Sequence, residues 1–509
     1  MATLLPPPKR QKTSHGAERV DGHNVLVQFV SDETGQPISA AVSVPADVNR
    51  AGLEMLINTL TNDQVPFEFH VQLNGATVVI SDSIHKNLLE HPSNHYTEED
   101  TILLRCIPQS VYRVRPATRC SATLSGHSSP ILCANFSPTG STLATGSGDT
   151  TVRLWNLSTE TPAATLKGHK GWVLCVEWEA RERFIASGGH DGHIRLWNPT
   201  TAQPLGDAMK GHTKWITSLA WEPIHLNPST PRLASSSKDC TVRVWNTNTR
   251  SLAYSLGGHT ASVNVVKWSG AGMLYTASSD RTLRVWDASN GSNIHILKDH
   301  AHWVTTLALS TDFVLRTGPF NWENEKQNKK DMSDAQGESV LPPLLFSTIV
   351  AKALALERYN TLLSKSGSEE LCISGSDDHT LFLWSPSSGK QKPLARLTGH
   401  QRQVAHVAFS PDGRWIASAS FDTSIRIWSA REGKFVATLR GHVGPVYRLT
   451  WSADSRLVVS ASKDATVKIW SMTNHRLHTD LPGHTDEVYC VDFVADKICS
   501  GGRDGAVKM

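Results

Sequence analysis

What this chain lacks narrows its class before anything it contains. Across 509 residues no unbroken apolar run approaches the ~18 residues that a membrane-spanning helix needs. The stretch Met1 to Lys12 carries no apolar core behind a basic start, so no secretory signal is expected there. Cysteine is scarce, with eight residues (Cys106, Cys120, Cys133, Cys175, Cys240, Cys372, Cys490 and Cys499) and no Cys-x-x-Cys spacing. That reads as reduced core thiols of an intracellular protein, not as a disulfide framework or a zinc site. Catalytic signatures are missing too. There is no phosphate-cradling Gly-x-x-x-x-Gly-Lys loop, no His-Glu-x-x-His and no Gly-x-Ser-x-Gly elbow. A binding protein without a catalytic centre is the expectation.

Charge is sparse but unevenly placed. The net +3 divides into +3 on residues 1–20, −9 on residues 21–105 and +9 on the rest. An acidic head on a basic body suits two different kinds of partner. Lys9, Arg10 and Lys12 behind three prolines read either as a nuclear-import signal or as a flexible solubilising tail over 1–20.

What is present is a repeat. A His recurs after Gly at His127, His169, His212, His259, His400, His442 and His484, with His300 after Asp299 as a variant. A Trp follows at Trp155, Trp197, Trp245, Trp286, Trp384, Trp428 and Trp470. Six residues before each Trp stands Asp149, Asp191, Asp239, Asp280, Asp378, Asp422 or Asp464. Four residues before each Asp stands Thr145, Ser187, Ser235, Thr276, Ser374, Ser418 or Ser460. The last unit keeps Ser500 and Asp504, and its Trp would fall at position 510, one past the final residue. Most His-to-His steps span 41 to 47 residues, the WD-repeat period.

These residues resemble the WD-repeat family, in which His, Ser or Thr, Asp and Trp form a hydrogen-bonded chain. Each unit reads as short alternating strands separated by Gly, Asp and Ser turns. A lone four-stranded sheet cannot bury both faces, so the units must stack around an axis as an eight-bladed β-propeller over 116–509. The segment Cys120–Ser125 has no blade of its own and is expected to complete the last one. The fifth unit breaks the period, with an insertion at about 311–369. Its first part, Asn321–Ser339, is polar. Its second part, Val350–Leu363, spaces Leu354, Leu356, Tyr359 and Leu363 as a helix does. That helix is either a docking element or a tolerated surface insertion.

Residues 21–115 follow another grammar. Strands are expected at Asn24–Val30, Ile38–Val44, Phe67–Leu73, Thr77–Ile80 and Thr101–Cys106, with a helix from Asp47 to Leu60 and a hairpin turn at Asn74-Gly75. This order is that of a β-grasp, ubiquitin-like α+β domain.

The chain as a whole resembles the Notchless family of ribosome-assembly factors. The resemblance rests on Tyr112 to Cys120 leading into the first repeat, on Ala144 to Asp149, on Trp215 to Pro223, and on Ala355 to Tyr359 shortly before Ser374 to Asp378. It implies a nuclear, nucleolar factor whose propeller sits on precursors of the large ribosomal subunit, among ribosomal proteins, rRNA and other assembly factors. It also implies that the ubiquitin-like head offers a Glu to the Mg²⁺ held in the adhesion site of midasin, an AAA ATPase, the chain needing no cofactor of its own. The matching residue is Glu99, with Glu98 as the alternative. Candidate contacts at the propeller mouth are Trp172, Trp215 and Trp303, each three past a repeat His, and Lys238, Phe421, Lys463 and Arg503 just before the turn Asp. The competing reading is an adaptor of the ubiquitin pathway or of Notch signalling.

Overall fold

The computed structural model describes residues 24–31, 37, 40–45, 48–61, 67–73, 76–79, 101–108, 120–320, 348–366, 369–386, 389 and 391–509. Its contacts fall into two compact units, Met1–Tyr112 and Arg113–Met509.

In the first unit, strands β1 (Asn24–Ser31), β2 (Val42–Pro45), β3 (Phe67–Leu73), β4 (Ala76–Val79) and β5 (Thr101–Pro108) form one sheet in the order β2-β1-β5-β3-β4. The central pair β1 and β5 runs parallel, with Leu26 opposite Thr101 and Ser31 opposite Cys106. Alternation in β1 turns Val25, Val27 and Phe29 inward, where they meet Leu53 and Ile57 from helix α1 (Arg50–Thr61). Parallel central strands flanked by hairpins, with one crossover helix, make this the β-grasp that the sequence indicates. The second strand begins later than expected, Pro37 making only an isolated bridge to Val30. The expected turn at Asn74-Gly75 lies outside the described residues.

The second unit is eight four-stranded antiparallel sheets. Blade 1 runs from its inner strand Ile131–Phe136 through Thr142–Ser147 and Thr151–Asn156 to the outer Thr161–Lys167. In all eight blades the inner strand shifts register against the second strand, as between Ile131 and Cys133. Such bulges sharpen the local twist. Blade 8 takes three strands from the C-terminal end of the chain and its outer strand from Thr123–Ser125, with Val507 opposite Leu124. Met509 exchanges backbone hydrogen bonds with Ala122 and accepts one from the Ser121 N–H. Leu124 and Val507 are buried in the cluster that holds Ile131, Phe136 and Trp155 of blade 1. The ring is closed by pairing and packing together, and neither edge is left open.

The insertion leaves between the inner strand of blade 5 (Val304–Leu309) and its second strand (Cys372–Ser376). Among the described residues it forms two helices, α2 (Asp312–Thr317) and α3 (Thr348–Ser366). The expected helix is therefore present, but its packed face differs from the spacing of its large residues. Ala351, Ala355, Tyr359 and Leu362 are buried, while Leu356 is 40% exposed. The alanines bury against Ala180 and Ile224 of blades 2 and 3, and Tyr359 stacks on His225 at 4.9 Å. Gly270 permits this approach, since a Cβ there would lie 2.2 Å from the Tyr359 ring. So α3 lies flat against the propeller. The polar stretch Asn321–Ser339 lies outside the described residues.

Candidate interaction face of the propeller

Each blade carries one copy of a side-chain chain. In blade 1, His127 Nδ1 lies 2.7 Å from the Asp149 carboxylate, and Nε2 lies 2.9 Å from the Thr145 hydroxyl. The same hydroxyl receives Trp155 Nε1–H at 2.8 Å. The carboxylate can only accept, so Nδ1 donates to it and Nε2 accepts from the hydroxyl. The arrangement repeats from blade to blade through His169, Ser187, Asp191 and Trp197 and through His212, Ser235, Asp239 and Trp245. Blade 4 uses His259, Thr276, Asp280 and Trp286, and blade 5 uses His300, Ser374, Asp378 and Trp384. His400, Ser418, Asp422 and Trp428 serve blade 6, and His442, Ser460, Asp464 and Trp470 serve blade 7. Blade 8 has His484, Ser500 and Asp504 alone.

The Asp has a second task. Its other oxygen accepts from the backbone N–H two residues on, as Asp149 does from Thr151. The residue between takes a left-handed backbone, at Thr150, Cys240, Arg281, His379, Thr423 and Ala465 without a glycine to ease it. That conformation costs ~1 kcal/mol for an ordinary residue, and a charge-assisted hydrogen bond offsets it. Burial works to raise the carboxyl pKa of Asp191, Asp239 and their equivalents. The His and neighbouring hydroxyl and backbone donors outweigh it and hold them below the ordinary carboxylate range. Each Asp thus ties its own turn to the loop that carries the His, and both lie at one end of the strands. The insertion leaves from the other end.

On the tetrad-bearing end the candidate contacts fall into groups. Trp172 is 59% exposed and lies 6.2 Å from His190, which stacks on Trp215 at 4.6 Å. The Lys238 ammonium covers Trp215 at 4.0 Å. Trp303 is 53% exposed and stands apart from these, beside His302. On the opposite arc, Phe421 packs on Tyr447 and Tyr447 on Tyr489. There Lys463 pairs with Glu487 at 3.4 Å and Arg503 with Asp486 at 3.6 Å. Tyr447 and Tyr489, each five past a repeat His, went unnoticed in the sequence because only the third residue after each His and the residue before each Asp were followed, and His190, directly before Asp191, was passed over at a position that was followed. Glu98 and Glu99 lie outside the described residues.

Below this face the inner strands enclose an axial cavity of about 400 Å³. Glu177, His406 and Arg448 line it, and burial drives the Glu177 pKa up and that of His406 down. Helix α2 borders the cavity at the insert end. Arg316 pairs with Asp492 of blade 8 at 2.9 Å, and Asp312 with Lys267 of blade 4 at 3.2 Å. Nothing in the repeat pattern foretold this.

Comparison with known proteins agrees with that architecture. The family "WD domain, G-beta repeat" matches residues 118–156, 160–198, 203–246, 250–287, 391–429, 433–471 and 475–509. The interrupted fifth unit is the gap between matches. The family "NLE (NUC135) domain" matches residues 25–91. "Ribosome assembly protein 4" of Saccharomyces cerevisiae is 47% identical, the match covering 86% of this chain and 85% of that one. "Protein Notchless" of Drosophila melanogaster is 40% identical over 79% and 78% of the two chains. The chain belongs to the Notchless family. "Notchless protein homolog" of Arabidopsis thaliana matches at 43%, covering 82% of each. The computationally designed Ika8 protein, whose crystal structure aligns with a TM-score of 0.58 at 24% identity over 77% of this chain and 98% of its own, shares only the fold with this Notchless-family chain.

Proposed function

We propose that this chain is a non-catalytic assembly factor of the large ribosomal subunit, acting in the nucleus and nucleolus. The observation that carries the reading is the 47% identity to "Ribosome assembly protein 4", which runs through the propeller and beyond it. In this reading the propeller binds the pre-ribosomal particle, meeting ribosomal proteins, rRNA and other assembly factors. The ubiquitin-like head presents Glu99, or Glu98, to a Mg²⁺ held in the adhesion site of midasin. A hard divalent cation with one ligand position open takes a carboxylate oxygen in trans. The pull of the ATPase then passes through the head to the particle and releases factors from it. The Mg²⁺ belongs to the partner.

A titration of the full chain against a midasin adhesion-site domain tests this. Binding is expected with Mg²⁺, absent in EDTA, and lost in Glu99→Ala. Retention in Glu99→Ala with loss in Glu98→Ala moves the ligand by one residue. Binding indifferent to chelator and to both variants sinks the mechanism. One observation favours an adaptor of the ubiquitin pathway or of Notch signalling as the second reading. Leu26 and Leu103, on the adjacent strands β1 and β5, are 37% and 50% exposed, an apolar start for a recognition patch. Absence of any midasin binding puts that reading ahead.

A further inference from the structure

The two aromatic arcs of the tetrad-bearing face are built for different ligands. On blades 1 to 3, Trp172 stands over Gly148, where an added Cβ would come within 3.7 Å of the indole. The rings then step across blades, with Trp172 beside His190, His190 stacked on Trp215, and Lys238 over the Trp215 ring. Lys170, Lys214, His190 and Lys238 are exposed along the same arc. The turn carboxylates within it, Asp149, Asp191 and Asp239, are each held by a His ring and by backbone N–H groups. They keep their negative charge, but their side chains are only 7–8% exposed, whereas the lysines of the arc are exposed. On blades 6 to 8 the cations Lys463 and Arg503 instead meet Glu487 and Asp486, and Tyr447 donates to Glu487 at 3.0 Å. That arc is closer to neutral, and its tyrosine hydroxyl is engaged.

We propose that the arc on blades 1 to 3 binds single-stranded RNA, with bases stacking on Trp172 and His190 and phosphates meeting Lys170, Lys214 and Lys238. A flat π-face flanked by unopposed cations is what an unpaired nucleotide needs, since every base has a ring to stack and a phosphate to neutralise. A duplex hides its bases in its own stack and gains only the charge term. Trp215, which stacks with His190 and carries Lys238 over its ring, fixes the height and tilt of both. It is a positioning residue. The choice of RNA as the strand rests on the assembly-factor reading above, but the site does not depend on Glu99 or on Mg²⁺.

The test uses the full chain and a fluorescein-labelled single-stranded RNA of about 12 mixed-sequence nucleotides, a length several stacked bases require. Anisotropy is read at about 50 and 200 mM salt, a range that exposes counterion release. EDTA and Glu99→Ala are expected to leave the affinity unchanged. Trp172→Ala is expected to weaken binding about tenfold, and Trp172→Phe to restore most of it. Lys238→Gln is expected to weaken it about threefold and to flatten the salt dependence by about one phosphate contact. Tyr447→Ala, on the other arc, serves as the unchanged control. An RNA duplex of the same sequence is expected to bind about tenfold less tightly than the single strand, lacking free bases to stack. No binding, equal binding of duplex and single strand, or indifference to Trp172→Ala overturns the proposal. The midasin titration would still stand or fall by itself.

Discussion

The two ends of the propeller are held together by different means. The tetrad-bearing end repeats one local device around the ring, each copy reaching no further than its own blade. At the insert-bearing end repeated links, such as the indole N–H groups of Trp178, Trp221 and Trp451 donating to the Asn135, Glu177 and Ala408 carbonyls of the preceding blade, are joined by links that occur once among the described residues. Arg316 pairs with Asp492, 176 positions away, and Glu370 accepts hydrogen bonds from Ser269 of blade 4 and from Thr311. Redundant local links tolerate the loss of one copy, whereas a unique long-range link has no substitute. This difference also separates an end free to carry exposed aromatics from one that is covered.

Acid should expose the contrast most broadly, because it acts on many tetrads together. Burial lowers the pKa of His127, His400, His442 and His484 below the ordinary 6.5. Below that pH the unfolded chain takes up protons that the folded chain refuses, so stability falls as pH falls. The turn carboxylates Asp149, Asp191, Asp239, Asp280, Asp378, Asp422 and Asp464 titrate below their ordinary 3.8. Their contribution is complete above that value and drains away as pH drops through the folded pKa. Glu370 behaves oppositely. Burial raises its pKa above 4.5, so its anchoring site becomes more favourable as pH falls toward that value. The thermal midpoint should be flat above pH ~7, decline below ~6.5, and fall more steeply under ~4. A midpoint constant from pH 7 to 5 would show that these histidines titrate as free ones do.

Single tetrads come next in size. Asp239 accepts from His212, the Thr213 and Thr241 backbone N–H groups and the Thr241 hydroxyl. Asp239→Ala strands all of them and should cost about 3 kcal/mol. Asp504 accepts from His484 and from two longer backbone contacts, has Ala506 where Asp239 has Thr241, and its Ser500 receives no tryptophan. Asp504→Ala should cost about half as much. Urea unfolding followed by tryptophan fluorescence separates them, because all 16 tryptophans lie at position 155 or later and report the propeller alone. Equal costs would mean that a tetrad's strength does not depend on its Trp.

The tetrad-bearing end was legible because its information is periodic. His, Ser or Thr, Asp and Trp at fixed offsets are enough to count eight blades, and a leftover segment at Cys120–Ser125 is enough to close them. The β-grasp order was readable from alternation in Asn24–Val30 and the helical spacing of Leu53, Leu56 and Ile57. The insert resisted for physical reasons. Its helix buries Ala351 and Ala355, whose small side chains let it lie close on Ala180 and Ile224 but give no large-residue stripe to read. Large Leu356 was the misleading cue. The short helix Asp312–Thr317 owes its place to partners on blades 4 and 8, which no local window contains. Among the mouth residues, spacing located Trp172 and Lys238 but not His190, which sits at the same offset as Lys238 and was passed over because His is already so frequent in the repeat.

Removing the Tyr359 ring should release the insert while leaving the ring of blades intact. Tyr359 is 7% exposed, stacks on His225 and sits over Gly270, so Tyr359→Ala vacates a packed site worth about 3 kcal/mol. Charged to local opening, that is roughly a hundredfold faster hydrogen exchange for the amides of Thr348–Ser366. Exchange in the inner strand Val263–Trp268 should hardly change. If both accelerate together, the helix is part of one cooperative unit with the blades, and the division between the two ends fails.

The most direct test of long-range linkage is at Arg316. Its guanidinium is a quarter exposed, and Asp492 keeps two further donors in the Phe136 and Phe493 backbone N–H groups, each at 2.9 Å. Breaking the pair therefore strands the carboxylate only in part, below the 3–5 kcal/mol typical of a fully buried pair. Arg316→Met should cost about 2 kcal/mol. Asp492→Asn loses the same partner from the other side, and the double variant should cost less than the two single costs combined if the pair acts as one unit. Additive costs would mean that α2 is held chiefly by Phe313 packing against the blade 1 and blade 8 cluster. The ion pair would then be a consequence of that packing, and the insert-bearing end would be secured by apolar contact, with charge adding little.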